Sequence, residues 1–234
     1  MTRFFYSLYN IMIIVINSHK KSEKALSHLL ESIQKNKKFS FFKIFIFIGG
    51  FYDIKDYEIY TKENLVYIHC NHNSIDCTGL ISLYELYEKD EENIYFYMHD
   101  TCRVGDKFLD ILDSFNGEIS SIRINLHYSM NMGIYSQKII NKFGKQLLKY
   151  KNTIDEKCRH FKSICILNED LIFKGDPNNY IFQNFAIEEK HISAPVDYYN
   201  TGVLRRIEYY PNFDLYKMKA NYIDEKEEIL ELNN

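Results

Sequence analysis

The stretch IYFYMHDT, residues 94–101, decides the fold of this 234-residue chain. It is a run of apolar residues that ends on three polar ones, which predicts a buried strand with a carboxylate, Asp100, directly after it. Ligands and metals collect outside the carboxyl ends of the strands in α/β proteins. A single Asp after a strand is also typical of a helix cap or a turn. The elements predicted before and after this strand therefore indicate which of these roles Asp100 has.

Three more apolar runs precede this stretch and alternate with two helical patterns. The runs predict strands at 11–17, 43–48 and 65–68, with one helix beginning after Ser22 and another spanning about Ile75 to Glu88. An order of β-α-β-β-α-β with nearly continuous apolar strands is typical of a mostly parallel sheet with helices on both faces. The sequence therefore predicts an α/β fold of the Rossmann type.

Each of the four predicted strands ends on polar residues. They are Asn17 and Ser18 after the first strand, residues 49–53 after the second, Asn71 to Asn73 near the third, and His99 to Thr101 after the fourth. Because the carboxyl ends of parallel strands meet at one edge, we expect these groups to lie close together. That edge is the predicted ligand site.

The second half of the chain is less regular. A helix is predicted around 107–115, an alternating strand at 121–126 and another strand at 130–135. Ser136 is expected to cap a following helix. The pattern Thr153-x-x-Glu156 is a capping box, which predicts a further helix. The region 197–222 is aromatic and basic, and we expect the charged residues 223–234 to be frayed.

Composition excludes several classes of function. A formal net charge of −3 argues against a broad nucleic-acid-binding surface. The apolar segment 4–16 is too short for a transmembrane helix and lacks a signal-peptide cleavage site, so a first strand explains it better. Five cysteines, an odd number, indicate reduced thiols and a cytoplasmic location, which is the host cytoplasm if the chain is viral.

Two Cys-x-His-x4-Cys patterns contain residues that zinc can use as ligands. They run from Cys70 to Cys77 and from Cys158 to Cys165. A zinc site needs ligands that converge tetrahedrally, and no CxxC knuckle is present. Cys158 and Cys165 are seven residues apart, which fits one face of a packed helix. The sequence therefore favours packing over zinc for these cysteines.

Several familiar catalytic motifs are missing from the sequence. There is no GxGxxG after the first strand, no GxxxxGK[ST] loop and no GxSxG elbow. The strand-ending carboxylate, an acidic pair at Glu169 and Asp170, and a basic C-terminal region remain. A nucleoside diphosphate leaving group needs its charge neutralised by a divalent metal or by Arg and Lys. An acceptor hydroxyl needs a carboxylate base.

The order of elements, together with the strand that ends at Asp100, resembles the GT-A type of glycosyltransferase over residues 11–220. In that superfamily an Asp-x-Asp motif at this place binds the metal and the sugar-nucleotide diphosphate. Residues 130–136 resemble the strand near the acceptor, and residues 168–170 resemble the acidic pair that supplies the base of inverting members. Residues 202–221 look like the tail of small bacterial and viral members. The resemblance implies one domain, 1–234, with a nucleotide-binding half at 11–101 and an acceptor half at 102–222.

This sequence departs from the motif because only one of its two acids, Asp100, is present. The resemblance implies Mn²⁺ or Mg²⁺ at Asp100, and His99 is a candidate to assist it since imidazole tolerates Mn²⁺. It implies Asp170 as the catalytic base, with Glu169 beside it. The expected contacts to the donor are Asn17, Ser18, Asn71, His99, Asp100, Arg205 and Lys217.

The resemblance implies transfer of a sugar from a nucleoside diphosphate to a glycan or another hydroxyl acceptor, with inversion. UDP-sugar is the expected donor and GDP-sugar is second. Two other functions stay open, a nucleotidyltransferase and a protein of this fold that binds nucleotide or glycan without turnover. Simpler roles also stay open for single residues: His99 as a polar strand end, Glu169 and Asp170 as a solvated helix end, and Arg205 as a surface charge.

Overall fold

The computed structural model describes residues 12–115, 119–124, 129–153, 169–178, 180–181, 189–191 and 202–222. Its strands are β1 Ile13–His19, β2 Ile44–Gly49, β3 Tyr57–Lys62, β4 Leu65–Cys70, β5 Ile94–His99, β6 Cys102–Val104, β7 Ser121–Arg123, β8 Gly133–Ser136, β9 Tyr180–Ile181, β10 Glu189–His191, β11 Gly202–Tyr210 and β12 Leu215–Tyr222. Its α-helices are α1 Glu23–Gln34, α2 Thr78–Tyr87, α3 Phe108–Asp113, α4 Gln137–Leu147 and α5 Leu171–Gly175. Short 3-10 turns lie at Phe39–Phe41, Ile75–Cys77, Leu148–Tyr150 and Pro211–Phe213.

The strands form two sheets. The larger has eight strands in the order β3-β4-β2-β1-β5-β8-β7-β9, and the smaller has four in the order β10-β11-β12-β6. In the larger sheet, the four adjacent strands β4, β2, β1 and β5 run parallel to one another. Strands β3 and β8 pair antiparallel to β4 and β5, and β8 pairs antiparallel to β7. The predicted α/β fold with a mostly parallel sheet is confirmed.

Alternating residues of the parallel strands point into two separate cores. On one face, Ile14 and Ile16 of β1 pack with α1, α3 and the smaller sheet. On the other face, Val15 packs with α2, α4 and α5. Because both faces are covered, the strands are apolar on both sides, which is why they read as unbroken apolar runs.

Strand β3, like β6 and β9 to β12, is an element that the sequence analysis missed. It pairs with β4 through a two-residue loop in which Glu63 adopts φ 56°. Residues 58–62 are exposed, so no apolar run marks this strand in the sequence. Its stability comes from pairing with β4, and that pairing is not visible in a local pattern.

Three local predictions need correction. The first strand is Ile13–His19 rather than 11–17, and the strand predicted at 130–135 is β8, which begins only at Gly133. The strand predicted at 121–126 ends at Arg123 within the described residues. Ser136 caps α4 as predicted, since its Oγ accepts from the Ile139 amide at 3.2 Å. The capping box at Thr153-x-x-Glu156 extends outside the described residues, as do Cys158 and Cys165.

Candidate functional site

The connections of the parallel strands reverse direction between β1 and β5. From β1 the chain passes through α1 to β2 on one side, and from β4 it passes through α2 to β5 on the other side. Asn17 near the end of β1 has Phe47 as its neighbour on one side and His99 on the other. Ligands of open α/β sheets bind at such a reversal, outside the carboxyl ends of the strands. The polar ends predicted to share an edge therefore meet at the expected place for a site.

Asp100 lies at this reversal and is only 3% exposed. Its amide donates to the carbonyl of Asn17 at 3.0 Å, which extends the β1–β5 ladder by one bond. Ser18 Oγ donates to Asp100 Oδ2 at 2.8 Å, and Ser22 also hydrogen-bonds the carboxylate. Ser22 precedes α1 but makes no side-chain cap. Its hydroxyl hydrogen-bonds the Asp100 carboxylate instead.

Burial raises the pKa of Asp100 from 3.8 to about 6. Hydrogen bonds from Ser18 and Ser22 and the charges of Lys217 and Arg103 act in the opposite direction, but burial outweighs them. A rise of about two units corresponds to about 3 kcal/mol of stability lost on ionisation. A carboxylate that stays charged at neutral pH at this cost marks a candidate functional group.

The smaller sheet brings two cations to Asp100. Strand β12 pairs with β6, and the amide of Met218 donates to the carbonyl of Thr101 at 2.8 Å. This pairing buries Lys217, which is 5% exposed and whose Nζ donates to Thr101 Oγ1. Arg103 lies in β6, and its guanidinium donates to the backbone carbonyl of Asp100 at 3.4 Å. The reversal therefore carries one carboxylate and two cations.

A second acid lies beside Lys217 in the smaller sheet. Glu208 in β11 is the cross-strand neighbour of Lys217 and is 2% exposed. Tyr210 donates its hydroxyl to Glu208 Oε2 at 2.8 Å. The buried polar cluster thus joins both sheets, and its charges of opposite sign lower the cost of burying each one.

His99 belongs to the other face of the larger sheet. Its Nε2 lies 3.2 Å from Asp76 Oδ1 and 3.3 Å from Asn17 Nδ2. Asp100, one residue later, contacts Ser18 and Ser22 on the α1 side. Neighbouring residues at a strand end point to opposite faces, so the structure does not bring His99 and Asp100 together around one point.

Asn17 holds the start of α2 against the sheet. Its Nδ2 donates to the carbonyl of Ile75 at 2.9 Å, and its Oδ1 accepts from the amide of Gly79 at 2.8 Å. Ile75 has φ 53°, a conformation that is strained for a β-branched residue. Such strain persists only where the surroundings fix it and is frequent near functional sites. Both polar atoms of the Asn17 side chain are occupied by backbone groups.

Asn71 closes a loop at the end of β4, which lies three strands from β5 and Asp100 in the sheet. Its Nδ2 donates to the carbonyl of Lys55 at 2.6 Å, and its amide donates to the carbonyl of Asp56 at 3.1 Å. The side chain therefore fixes the segment between β2 and β3. A contact from Asn71 to a donor remains a prediction.

Glu169 and Asp170 lie at the start of α5. Asp170 Oδ2 is 2.5 Å from Lys174 Nζ, and the carbonyl of Glu169 accepts from the amide of Met130 at 2.7 Å. Ile172 of α5 packs in the core on the α2 side. The acidic pair thus lies on the same face as His99, opposite the face of Asp100.

Arg205 lies in β11, with its side chain outside the described part of the chain.

Mn²⁺ and Mg²⁺ need several donor atoms, mostly oxygens, that converge on one point. Within the described residues no three His, Cys, Asp or Glu side chains converge on one point. On its face of the sheet, Asp100 is surrounded by hydroxyl donors and by Lys217 and Arg103. The described residues therefore do not form a metal site from protein side chains alone.

The first zinc pattern is part of the packed core. His72 is fully buried, its ring nitrogens lie 3.1 Å from Ser74 Oγ and 3.3 Å from Ser82 Oγ, and burial lowers its pKa to about 3. Cys70 contacts the same Ser82, and burial raises its pKa to about 12. The packing interpretation fits both residues.

Sequence reasoning missed four residues of the site: Ser22, Asp76, Arg103 and Glu208. In the sequence Ser22 marks only the start of a helix, and Asp76 and Glu208 carry no local signal. Arg103 is the exception. It is only three residues after Asp100, so its proximity in sequence would have suggested it. Glu208 and Lys217 become neighbours only when β11 and β12 pair.

No protein-family model matches the sequence, and no curated protein matches it. Among solved structures, the chain is similar to the glycosyltransferase GlyE of Streptococcus pneumoniae TIGR4, with 9% identity and a TM-score of 0.45. The apo form of the same enzyme matches with 10% identity and a TM-score of 0.42. These alignments cover 74% of this chain and 46% and 45% of the GlyE chains, so the chain spans less than half of their length. A TM-score below 0.5 is too low to assign a family.

No helix among the described residues combines the length and the apolar character needed to cross a membrane.

Proposed function

We propose that the protein is a glycosyltransferase that moves a sugar from a nucleoside diphosphate donor to a hydroxyl acceptor. One observation carries the proposal. The buried carboxylate of Asp100, whose ionisation is unfavourable in the folded state, lies at the reversal of strand order with Lys217 and Arg103 near it. Cations at this place suit the negative charge that develops on a leaving nucleoside diphosphate. Preorganised cations in a buried site stabilise this negative charge more strongly than water does.

In this proposal the larger sheet binds the donor. The diphosphate lies outside the ends of β1 and β5, near Ser18 and Asp100, with Lys217 and Arg205 as the proposed basic contacts. UDP is the favoured nucleotide and GDP is second. A divalent cation, Mn²⁺ or Mg²⁺, bound by Asp100 and the donor diphosphate is part of the proposal.

The acceptor is a glycan or another hydroxyl compound, and transfer inverts the anomeric centre. Asp170 is the proposed base, with Glu169 positioning the acceptor. The start of α5 follows the backbone of Met130, which precedes β8, the antiparallel neighbour of β5. A base has to come within about 3 Å of the hydroxyl it activates, directly or through one water.

A second candidate function rests on the enclosure of Asp100. This carboxylate is 3% exposed and is already compensated by neighbouring hydroxyls and cations. Such a site suits a protein that binds a sugar nucleotide without turning it over. Release of free nucleoside diphosphate from a sugar nucleotide supports the transferase, whereas binding without any release supports this second candidate.

The test is a thermal-shift panel with UDP, GDP and CDP, each with and without Mn²⁺. Ligand at ten times its Kd stabilises the folded state by about 1.4 kcal/mol, which is a rise in Tm of a few degrees. We expect the largest shift with UDP. No shift with any nucleotide at millimolar concentration would contradict the proposal, and release of pyrophosphate from a nucleoside triphosphate would indicate a nucleotidyltransferase instead.

A matched pair of variants locates the binding site in the same panel. Lys217→Gln removes a cation beside Asp100, and Lys43→Gln makes the same change at the amino end of β2, where Lys43 is exposed. We expect Lys217→Gln to reduce the UDP shift and Lys43→Gln to keep it. Equal shifts in the two variants would place the nucleotide elsewhere.

A further inference from the structure

Strand β3 forms an open edge of the larger sheet. It is the first strand in the sheet order, and among the described residues only β4 pairs with it. Residues 58–62 are exposed, and Ile59 and Tyr60 are each 51% exposed although they are large and apolar. An exposed edge strand carries a row of backbone groups that can pair with another strand.

The backbone groups that face outward follow from the hairpin. The two-residue loop at 63–64 is closed by the pair Lys62–Leu65. Such a pair is hydrogen-bonded, and hydrogen-bonded pairs alternate along an antiparallel ladder. Asp56, at the expected spacing, turns its carbonyl inward to the amide of Asn71. Ile59 and Thr61 therefore present their amides and carbonyls to the open edge.

The side chains along β3 are self-complementary about its centre. Glu58, Tyr60 and Lys62 share one face, where Tyr60 donates its hydroxyl to Glu58 Oε2 at 2.8 Å and packs against His69 with ring centroids 5.1 Å apart. Glu58 and Lys62 have opposite charge and are equally far from Tyr60. An antiparallel copy centred on Tyr60 therefore sets each glutamate opposite a lysine.

We propose that β3 is a homodimer interface, in which a second copy of this chain adds its own β3 antiparallel across a two-fold axis at Tyr60. Ile59 and the partner's Thr61 exchange backbone hydrogen bonds, as do their symmetry mates, which makes four in all. This register is favoured over those centred on Glu58 or on Lys62, which would place like charges directly opposite each other. This inference is independent of the proposed function.

Charge reversal tests the pairing. Glu58→Lys and Lys62→Glu each set like charges opposite each other at two symmetric positions, and the double variant restores opposite charges. We expect sedimentation equilibrium to show a dimer for the natural sequence and for the double variant. Each single variant is expected to weaken the dimer about tenfold or more. Lys89→Glu, a reversal at an exposed lysine after α2, is the control and is expected to dimerise normally.

A monomer at every concentration overturns the proposal. So does a dimer that the single variants leave unchanged, or one that the double variant fails to restore. If the variants do not fold, the natural protein still tests the proposal. Amide hydrogen exchange at Ile59 and Thr61 is expected to slow as the protein concentration rises. Exchange at these amides that does not depend on concentration overturns the interface as well.

Discussion

Replacing Asp100 by Asn is expected to stabilise the protein increasingly as the pH rises. The substitution removes the charge and keeps the shape of the side chain. Burial raises the pKa of Asp100 to about 6 from its ordinary 3.8, so the folded state binds this proton more tightly than the unfolded state. The contribution of Asp100 to stability is therefore complete below the unfolded pKa and is lost as the pH rises through about 6.

The size of the effect follows from the same two values. About two pKa units correspond to about 3 kcal/mol in total, of which about 2 kcal/mol falls between pH 4.5 and pH 8. Asn cannot ionise and lacks this term. The difference in unfolding free energy between Asp100→Asn and the natural protein is thus expected to grow by about 2 kcal/mol over that interval, in favour of the variant.

Urea unfolding at several pH values measures this difference directly, because all other titrating groups cancel between the two proteins. Asp90→Asn, the same change at an exposed aspartate, is the control. A difference for Asp100→Asn that does not change with pH refutes the reasoning. The same variant is expected to lose about a hundredfold in transfer activity, as when a transition-state charge contact is removed. A stabilised variant that keeps full activity would show that the charge has no catalytic role.

Three further substitutions test other parts of the site. Asn17→Ala is expected to destabilise the fold by roughly 2 to 4 kcal/mol, measured by urea unfolding, because it leaves the carbonyl of Ile75 and the amide of Gly79 without their partner; a loss well below this range would mean that water replaces the side chain. Glu169→Gln and Asp170→Asn are expected to reduce glycosyl transfer unequally, with Asp170→Asn the more severe and sugar-nucleotide binding kept in both, as measured by steady-state rates and nucleotide titration. Full activity in both variants would place the base elsewhere.

The local pattern of the sequence predicted the parallel part of the larger sheet. The runs at β1, β2, β4 and β5 are apolar on both faces because helices and the smaller sheet cover both sides, and this leaves a signal in any short window. The polar residues at their carboxyl ends share one edge because parallel strands must end together. The fold class and the location of the candidate site were thus determined by the sequence alone.

The composition of the site was decided only by the tertiary structure. Lys217 is more than a hundred residues from Asp100 in sequence and reaches it because β12 pairs with β6. Ser22 hydrogen-bonds the buried Asp100 carboxylate and makes no side-chain cap for its helix. His99 and Asp100 are adjacent in sequence and yet face different cores. Burial, charge pairing and the pKa of Asp100 all depend on contacts between distant segments, and local sequence patterns do not record such contacts.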